Sequence, residues 1–238
     1  MKVKILILLI NLSALGQSKN LFNVIKVDAS TSEIFKKIDS SSIGNPFYED
    51  EKYVVSKTCN GEFGGTIIFK NKFTKAEFTC GSTCAVKIDK FKGRYIVTNT
   101  LNHMSGWTEI LEIANPELLK KIHDGKKKIK GRNIDDSQEK KGAKVLIDKY
   151  SFSTLFTFIY NTKMYHIISD YKKTYIAEIE NNDFKILQKI MDIGVWDHQT
   201  EIKKTKNNTE LVFFHSSDYK TKGYFEVKDN NVTIFTIK

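Results

Sequence analysis

The stretch "EILEIANPELLKKI", residues 109–122, admits two readings, and the choice between them decides the fold. Ile110, Leu111, Ile113, Leu118, Leu119 and Ile122 fall where the apolar face of a helix would put them, with two lysines near the end. Against this stands Pro116 after an asparagine, because proline has no N–H to give and breaks a helix interior. The preceding run, "GRYIVTNT", is β-branched and aromatic. Two other segments have the same shape: "EIENNDFKILQKI" at 178–190 and "IKVDASTSEIFKKI" at 25–38. Each reads as a strand, a polar turn and a second apolar run. The recurrence outweighs the helical spacing. Residues 109–113 are therefore expected as a strand, Asn115 and Pro116 as a turn, and 118–122 as an outer strand or at most one helical turn.

Around this unit the chain repeats. Four copies align: "EKYVVSKTCNGEFGGTIIFKNKFTKAEF" (51–78), "GRYIVTNTLNHMSGWTEILEIANPELLKKI" (93–122), "KMYHIISDYKKTYIAEIENNDFKILQKI" (163–190) and "ELVFFHSSDYKTKGYFEVKDNNVTIFTI" (210–237), with a partial fifth opening at residue 25. The equivalent apolar positions are Val27, Phe69, Ile113, Ile179 and Val227, at intervals of 42, 44, 66 and 48. The long interval contains "HDGKKKIKGRNIDDSQEKKG" (123–142), whose 20 residues bring 66 down to 46. That insertion is lysine-rich and has no aromatic residue, the composition of a solvated loop.

Short β segments separated by Gly, Asn, Asp and Lys turns specify an all-β fold, a single domain of repeated four-stranded antiparallel sheets. In pattern and period the chain resembles a small β-propeller of four or five blades, with a β-sandwich as the alternative. Its one WD dipeptide, Trp196-Asp197, does not recur from repeat to repeat, and no kelch glycine pair marks each copy. The resemblance implies blades packed radially, the two ends of the chain completing one another, and ligands at the loops around a central channel.

Residues 1–17, "MKVKILILLINLSALGQ", have the layout of a secretory signal: Lys2 and Lys4, a short apolar run, then small residues before Gln17. The expectation is an exported protein, periplasmic or secreted, with residues 18–238 as its β domain and no transmembrane segment. The lysine-, asparagine- and isoleucine-rich composition suggests an AT-rich bacterium. The formal charge is +10, almost all of it lysine, with Arg94 and Arg132 the two arginines. Without arginine forks to read phosphates and base edges, nucleic acid is not an expected partner. In an oxidising compartment, Cys59, Cys80 and Cys84 predict one disulfide and one leftover thiol. A tight Cys80–Cys84 loop and a cross-strand bond from Cys59 to either are all open.

No P-loop, HExxH, G-x-S-x-G or G-x-G-x-x-G is present, so no cofactor or metal is expected and no catalytic constellation can be assembled. Candidate ligand-binding residues lie in two turns. "LNHMSGWTE" carries His103, Ser105 and Trp107; "IGVWDHQTE" carries Trp196, Asp197 and His198. Both sets suit stacking and hydrogen bonding to a sugar ring, and both suit packed turns with a satisfied polar tip. A glycosidase would need two converging carboxylates, for which Asp50, Asp89, Asp170 and Asp197 are the strand-end candidates. His166 and His215 lack a paired ligand nearby. Asn207 and Asn231 open glycosylation sequons that matter only in a eukaryote. The expected function is a non-enzymatic module binding a cell-envelope or extracellular protein. The alternative is a carbohydrate-binding protein or glycoside hydrolase working through the Trp107 and Trp196 loops.

Overall fold

The computed structural model describes residues 20–29, 46–59, 61–103, 105–122, 139–196, 200–207 and 209–237, and the backbone of 128–129 and 132–133. The leader reading of residues 1–17, most of the 123–142 insertion, and the candidates Asp197 and His198 lie outside them.

The fold is all-β. After β1 (Asn23–Ala29), the first sheet runs through β2 (Tyr48–Glu49), β3 (Tyr53–Lys57), β4 (Thr66–Asn71) and β5 (Glu77–Gly81). The second contains β6 (Ala85–Phe91), β7 (Arg94–Leu101) and β8 (Trp107–Ile113). Three short strands intervene: β9 (Lys120–Lys121), β10 (Lys128–Ile129) and β11 (Arg132–Asn133). Then β12 (Ala143–Tyr150) completes the second sheet. The third is β13 (Ser153–Tyr160), β14 (Lys163–Ser169), β15 (Thr174–Glu180) and β16 (Asp183–Met191). The fourth is β17 (Ile202–Lys204), β18 (Glu210–His215), β19 (Lys222–Lys228) and β20 (Asn231–Ile237). Each is an antiparallel meander, and β1 adds to the fourth sheet in parallel with β20.

The four sequence copies cover the second to fourth strands of the first, third and fourth sheets, but only the second and third strands of the second. Phe69, Ile113, Ile179 and Val227 all fall on the third strand of their sheet. Val27 does not: it pairs with Phe235 in the extra parallel strand, so the partial copy caps the last sheet.

The opening stretch explains why the second sheet differs. Residues 109–113 lie in β8, as the repeat requires. In the third sheet the equivalent strand reverses over Asn181 and Asn182, both at positive φ, the geometry of a two-residue hairpin. Pro116, fixed near φ −65°, cannot make that reversal. Instead Asn115 Oδ1 accepts from the Glu117 N–H at 3.0 Å and starts a single 3-10 turn, Pro116–Leu118. The chain then leaves its sheet, and β9 pairs with β5 of the first. The fourth strand of the second sheet is supplied only after the insertion, by β12. The two similar endings thus have different fates, decided by one dipeptide.

Successive sheets pack face to face. Tyr53, Val55, Ile67 and Phe69 of the first meet Tyr95, Val97, Leu111 and Ile113 of the second. The opposite face of the second, with Ile96, Ile110 and Ile147, meets Met164, Ile179 and Phe184 of the third. The third packs Leu155, Phe158, Tyr165 and Ile167 against Val212, Phe214 and Phe225 of the fourth. Sandwiched strands such as β7 and β13 are buried on both faces, so they read as unbroken apolar and threonine runs rather than alternating ones. Threonines bond across the stack, Thr98 of β7 to Thr157 of β13 at 2.8 Å and Thr108 of β8 to Thr154 of β13 at 2.8 Å. Outer strands such as β12 and β16 are lysine-rich and largely exposed, which discourages edge pairing.

Candidate functional site

Two places bring polar and aromatic side chains together from different sheets. The first is the end of the molecule where the second-to-third-strand loops lie (58–65, 102–106, 170–173 and 216–221). His103 is exposed there, with Nδ1 3.1 Å from Glu62 Oε2, and its carbonyl accepts from the Gly106 N–H at 2.9 Å. Ser105 is exposed beside it. Trp107 begins β8, half-buried, and its indole N–H donates to Asp148 Oδ1 at 2.7 Å. Trp196 is half-buried, its ring centroid 4.4 Å from that of Tyr171.

Tyr171, which the sequence did not single out, joins the two predicted turns. Its hydroxyl donates to Asn102 Oδ1 at 3.0 Å while its ring carries Trp196. Burial pushes its phenol pKa up. Space for it depends on two glycines, one from each turn. A Cβ on Gly106 would lie 1.5 Å from the Tyr171 hydroxyl, and a Cβ on Gly194 would lie 1.9 Å from its carbonyl carbon. In the first three sheets this end is also fastened to the link leading into the next sheet. Ser82 N–H donates to Gly65 O at 2.9 Å, Ser151 N–H to Gly106 O at 3.1 Å, and Val195 N–H to Ser169 Oγ at 2.9 Å. The Cys59–Cys84 disulfide makes the same tie in the first sheet.

Of the three cysteine pairings left open by spacing, the structure therefore contains the long one. Cys80 is the leftover thiol, buried in the core between the first two sheets. Burial, with Glu109 nearby, pushes it up to about 12, which keeps it an unreactive thiol at neutral pH. Glu109 itself is fully buried and pairs with Lys140 Nζ from the insertion. Its other oxygen accepts from Asn99 Nδ2 at 3.0 Å, and Asn99 Oδ1 accepts from Ser82 Oγ at 2.6 Å. Burial raises the Glu109 pKa against those partners. The network ties the end of the lysine-rich insertion to the core.

The second place is a cleft of about 610 Å³ where the first strands of the sheets converge. Phe47, Tyr48 and Glu49 border it from the first sheet, Lys87, Asp89 and Lys90 from β6, and Ile202, Lys204 and Glu210 from the fourth. At its floor Lys87 Nζ lies 2.8 Å from Asp89 Oδ1 and 2.8 Å from Glu210 Oε2, and donates to Thr157 O of β13 at 2.7 Å. Its ammonium also faces the Phe156 ring at 4.1 Å. Burial raises the Asp89 pKa, only partly offset by Lys87. Asp89 is thus brought against Glu210, a residue absent from the sequence-based candidates. Asp50 and Asp170 instead cap turns, accepting from the backbone N–H groups of residues 52–53 and 172–173.

A smaller pocket of about 360 Å³ between the second and third sheets includes His166. Its Nδ1 bonds Thr157 Oγ1 at 2.9 Å, and complete burial lowers its pKa to about 3. Among the described residues no group of three or more His, Cys, Asp or Glu is placed to hold a metal, and no helix is long and apolar enough to cross a membrane. In comparisons with known proteins, no family model, no curated protein and no solved structure matches the chain.

Proposed function

We propose that the protein is an exported, non-enzymatic binding module, built as a four-bladed propeller, that recognises a protein of the cell envelope or extracellular space. The propeller reading draws support from the first strands, since β2, β6 and β17 border one cleft and β13 bonds its floor. The parallel pairing of β1 with β20 also unites the two ends of the described chain.

The observation that carries the binding reading is the contrast at the loop end. Beneath, Asn102, Tyr171 and Trp196 lock the loops together, with the disulfide alongside. Above, Phe63 and Tyr219 are 78% and 62% exposed, on loops of the first and fourth sheets. Large aromatics held on a pre-ordered frame give contact area at little entropic cost, the property of interface hot spots. The glycan reading of the two tryptophans has less support, because Trp107 is committed to Asp148 and Trp196 to Tyr171.

Photo-crosslinking tests it. A benzophenone side chain is placed at position 63, 219 or 73, the last replacing a Phe that is 76% exposed but lies in the β4–β5 turn, at the other end of the first sheet. The variants are irradiated with envelope and extracellular fractions of the producing cells. One discrete protein adduct from positions 63 and 219, absent from 73, is the expected result. Equal labelling from all three, or no adduct, refutes the docking surface.

A further inference from the structure

The cleft at the convergence of the first strands is independent of the loop-end surface, and its chemistry is more specific. We propose that it is a binding site for a neutral saccharide unit. Three features of the cleft converge on that class.

The first is an unanswered acceptor. Asp89 Oδ1 is paired with Lys87, but Asp89 Oδ2 is buried and has no hydrogen-bond partner among the described residues. A buried carboxylate oxygen left without a donor is costly, so a bound donor there gains correspondingly. Lys87 cannot turn to serve it. Its three protons are already directed to Asp89 Oδ1, Glu210 Oε2 and Thr157 O. A ligand hydroxyl entering the cleft, whose lining includes Asp89, supplies that donor once the carboxylate turns toward it.

The second is charge balance. Lys87, Lys90 and Lys204 stand in the lining against Glu49, Asp89 and Glu210, three cations to three anions. An anionic or cationic ligand would meet as much repulsion as attraction. A neutral ligand that both donates and accepts meets neither penalty, and adjacent hydroxyls do both. The third is shape. About 610 Å³ is within the usual range for small-molecule sites, and Phe47 and Tyr48 add aromatic surface to the otherwise polar lining. A sugar ring likewise combines C–H surface with hydroxyl groups.

The test is titration of the full-length folded protein, followed by amide chemical shifts, with three ligands sharing one ring. N-acetylglucosamine is neutral, glucosamine at pH 6 is cationic and glucuronate is anionic; glucose and galactose extend the neutral set. At least one neutral sugar is expected to shift the amides of residues 86–90 and 202–204, more tightly than either charged analogue. Asp89→Asn, which replaces one of the two acceptor oxygens by a donor, is expected to weaken that sugar about tenfold or more, equivalent to about 1.4 kcal/mol. Lys204→Ala at the mouth provides a second variant should Asp89→Asn not fold, with an expected loss of about threefold, or about 0.7 kcal/mol. Shifts confined to the Trp196 and Tyr171 end, preference for a charged analogue, no response to any neutral sugar, or undiminished binding in both variants would each overturn the assignment. None of these outcomes bears on crosslinking from positions 63 and 219, so the two readings fail separately.

Discussion

Replacing Asp50 by asparagine probes the joint between the first two sheets. Asp50 lies in the β2–β3 turn with its side chain 7% exposed. Oδ1 accepts from the Lys52 and Tyr53 N–H groups at 2.9 and 2.8 Å; Oδ2 accepts from the Tyr95 hydroxyl at 2.6 Å and from Lys90 Nζ at 2.9 Å. Burial, the largest single influence, opposes the charge, but these four donors outweigh it and lower the pKa from 3.8 to about 2. A shift of nearly two units is worth about 2.4 kcal/mol, and water near the turn screens it to about 2. An Asn Nδ2 would face the Tyr95 hydroxyl and the Lys90 ammonium, so the substitution removes this contribution and leaves like groups opposed. The folded-state pKa lies below the unfolded one, so the stabilisation is complete well above pH 3.8 and disappears as pH falls through about 2. Urea unfolding at constant ionic strength should therefore show Asp50→Asn less stable by about 2 kcal/mol at pH 7, and by about half that at pH 3, with an unchanged m-value. Tyr95→Phe, which deletes one donor, should lose about 1 kcal/mol. A deficit below about 0.5 kcal/mol at pH 7, or one of equal size at pH 3, would refute the reasoning.

Two further perturbations test other parts of the stack. Lys140→Ala strands the fully buried Glu109 carboxylate and should cost about 3 kcal/mol in urea unfolding, while Lys141→Ala, one residue along, should cost less than about 0.5 kcal/mol. His166 stays neutral in the folded protein down to about pH 3, so its imidazole resonances should not move between pH 8 and 5. The unfolded chain takes up that proton below pH 6.5, so stability should fall by about 2 kcal/mol between pH 6.5 and 4.5, and His166→Gln should lose that slope.

What the sequence made legible is what depends on local spacing. Phe69, Ile113, Ile179 and Val227 share the third-strand position, and Val27 does not, because each of those four copies carries its own strand residues; even Lys87 and Asp89 are visible as alternate positions of "VKIDK", hence neighbours on one face of β6. What it hid depends on meetings between distant segments. Glu210 reads as an ordinary strand-end acid until β18 places it on Lys87. Glu109 looks like a surface position of a helix or an edge strand, because its cation comes from an insertion whose composition predicts only a solvated loop. Tyr171 sits in "DYKKT", a turn with no distinguishing feature. Its signal was displaced into its seat, since Gly106 and Gly194 lie in the two turns already marked by His and Trp, and each is small because Tyr171 occupies the space a Cβ would need. Both tryptophan turns wall in Tyr171, one through Gly106 and Asn102, the other through Gly194 and Trp196. Trp107 is committed to Asp148 and Trp196 to Tyr171, while the aromatics most exposed at that end, Phe63 and Tyr219, lie on the loops of the first and fourth sheets, and the buried oxygen without a donor is Asp89 Oδ2 in the cleft.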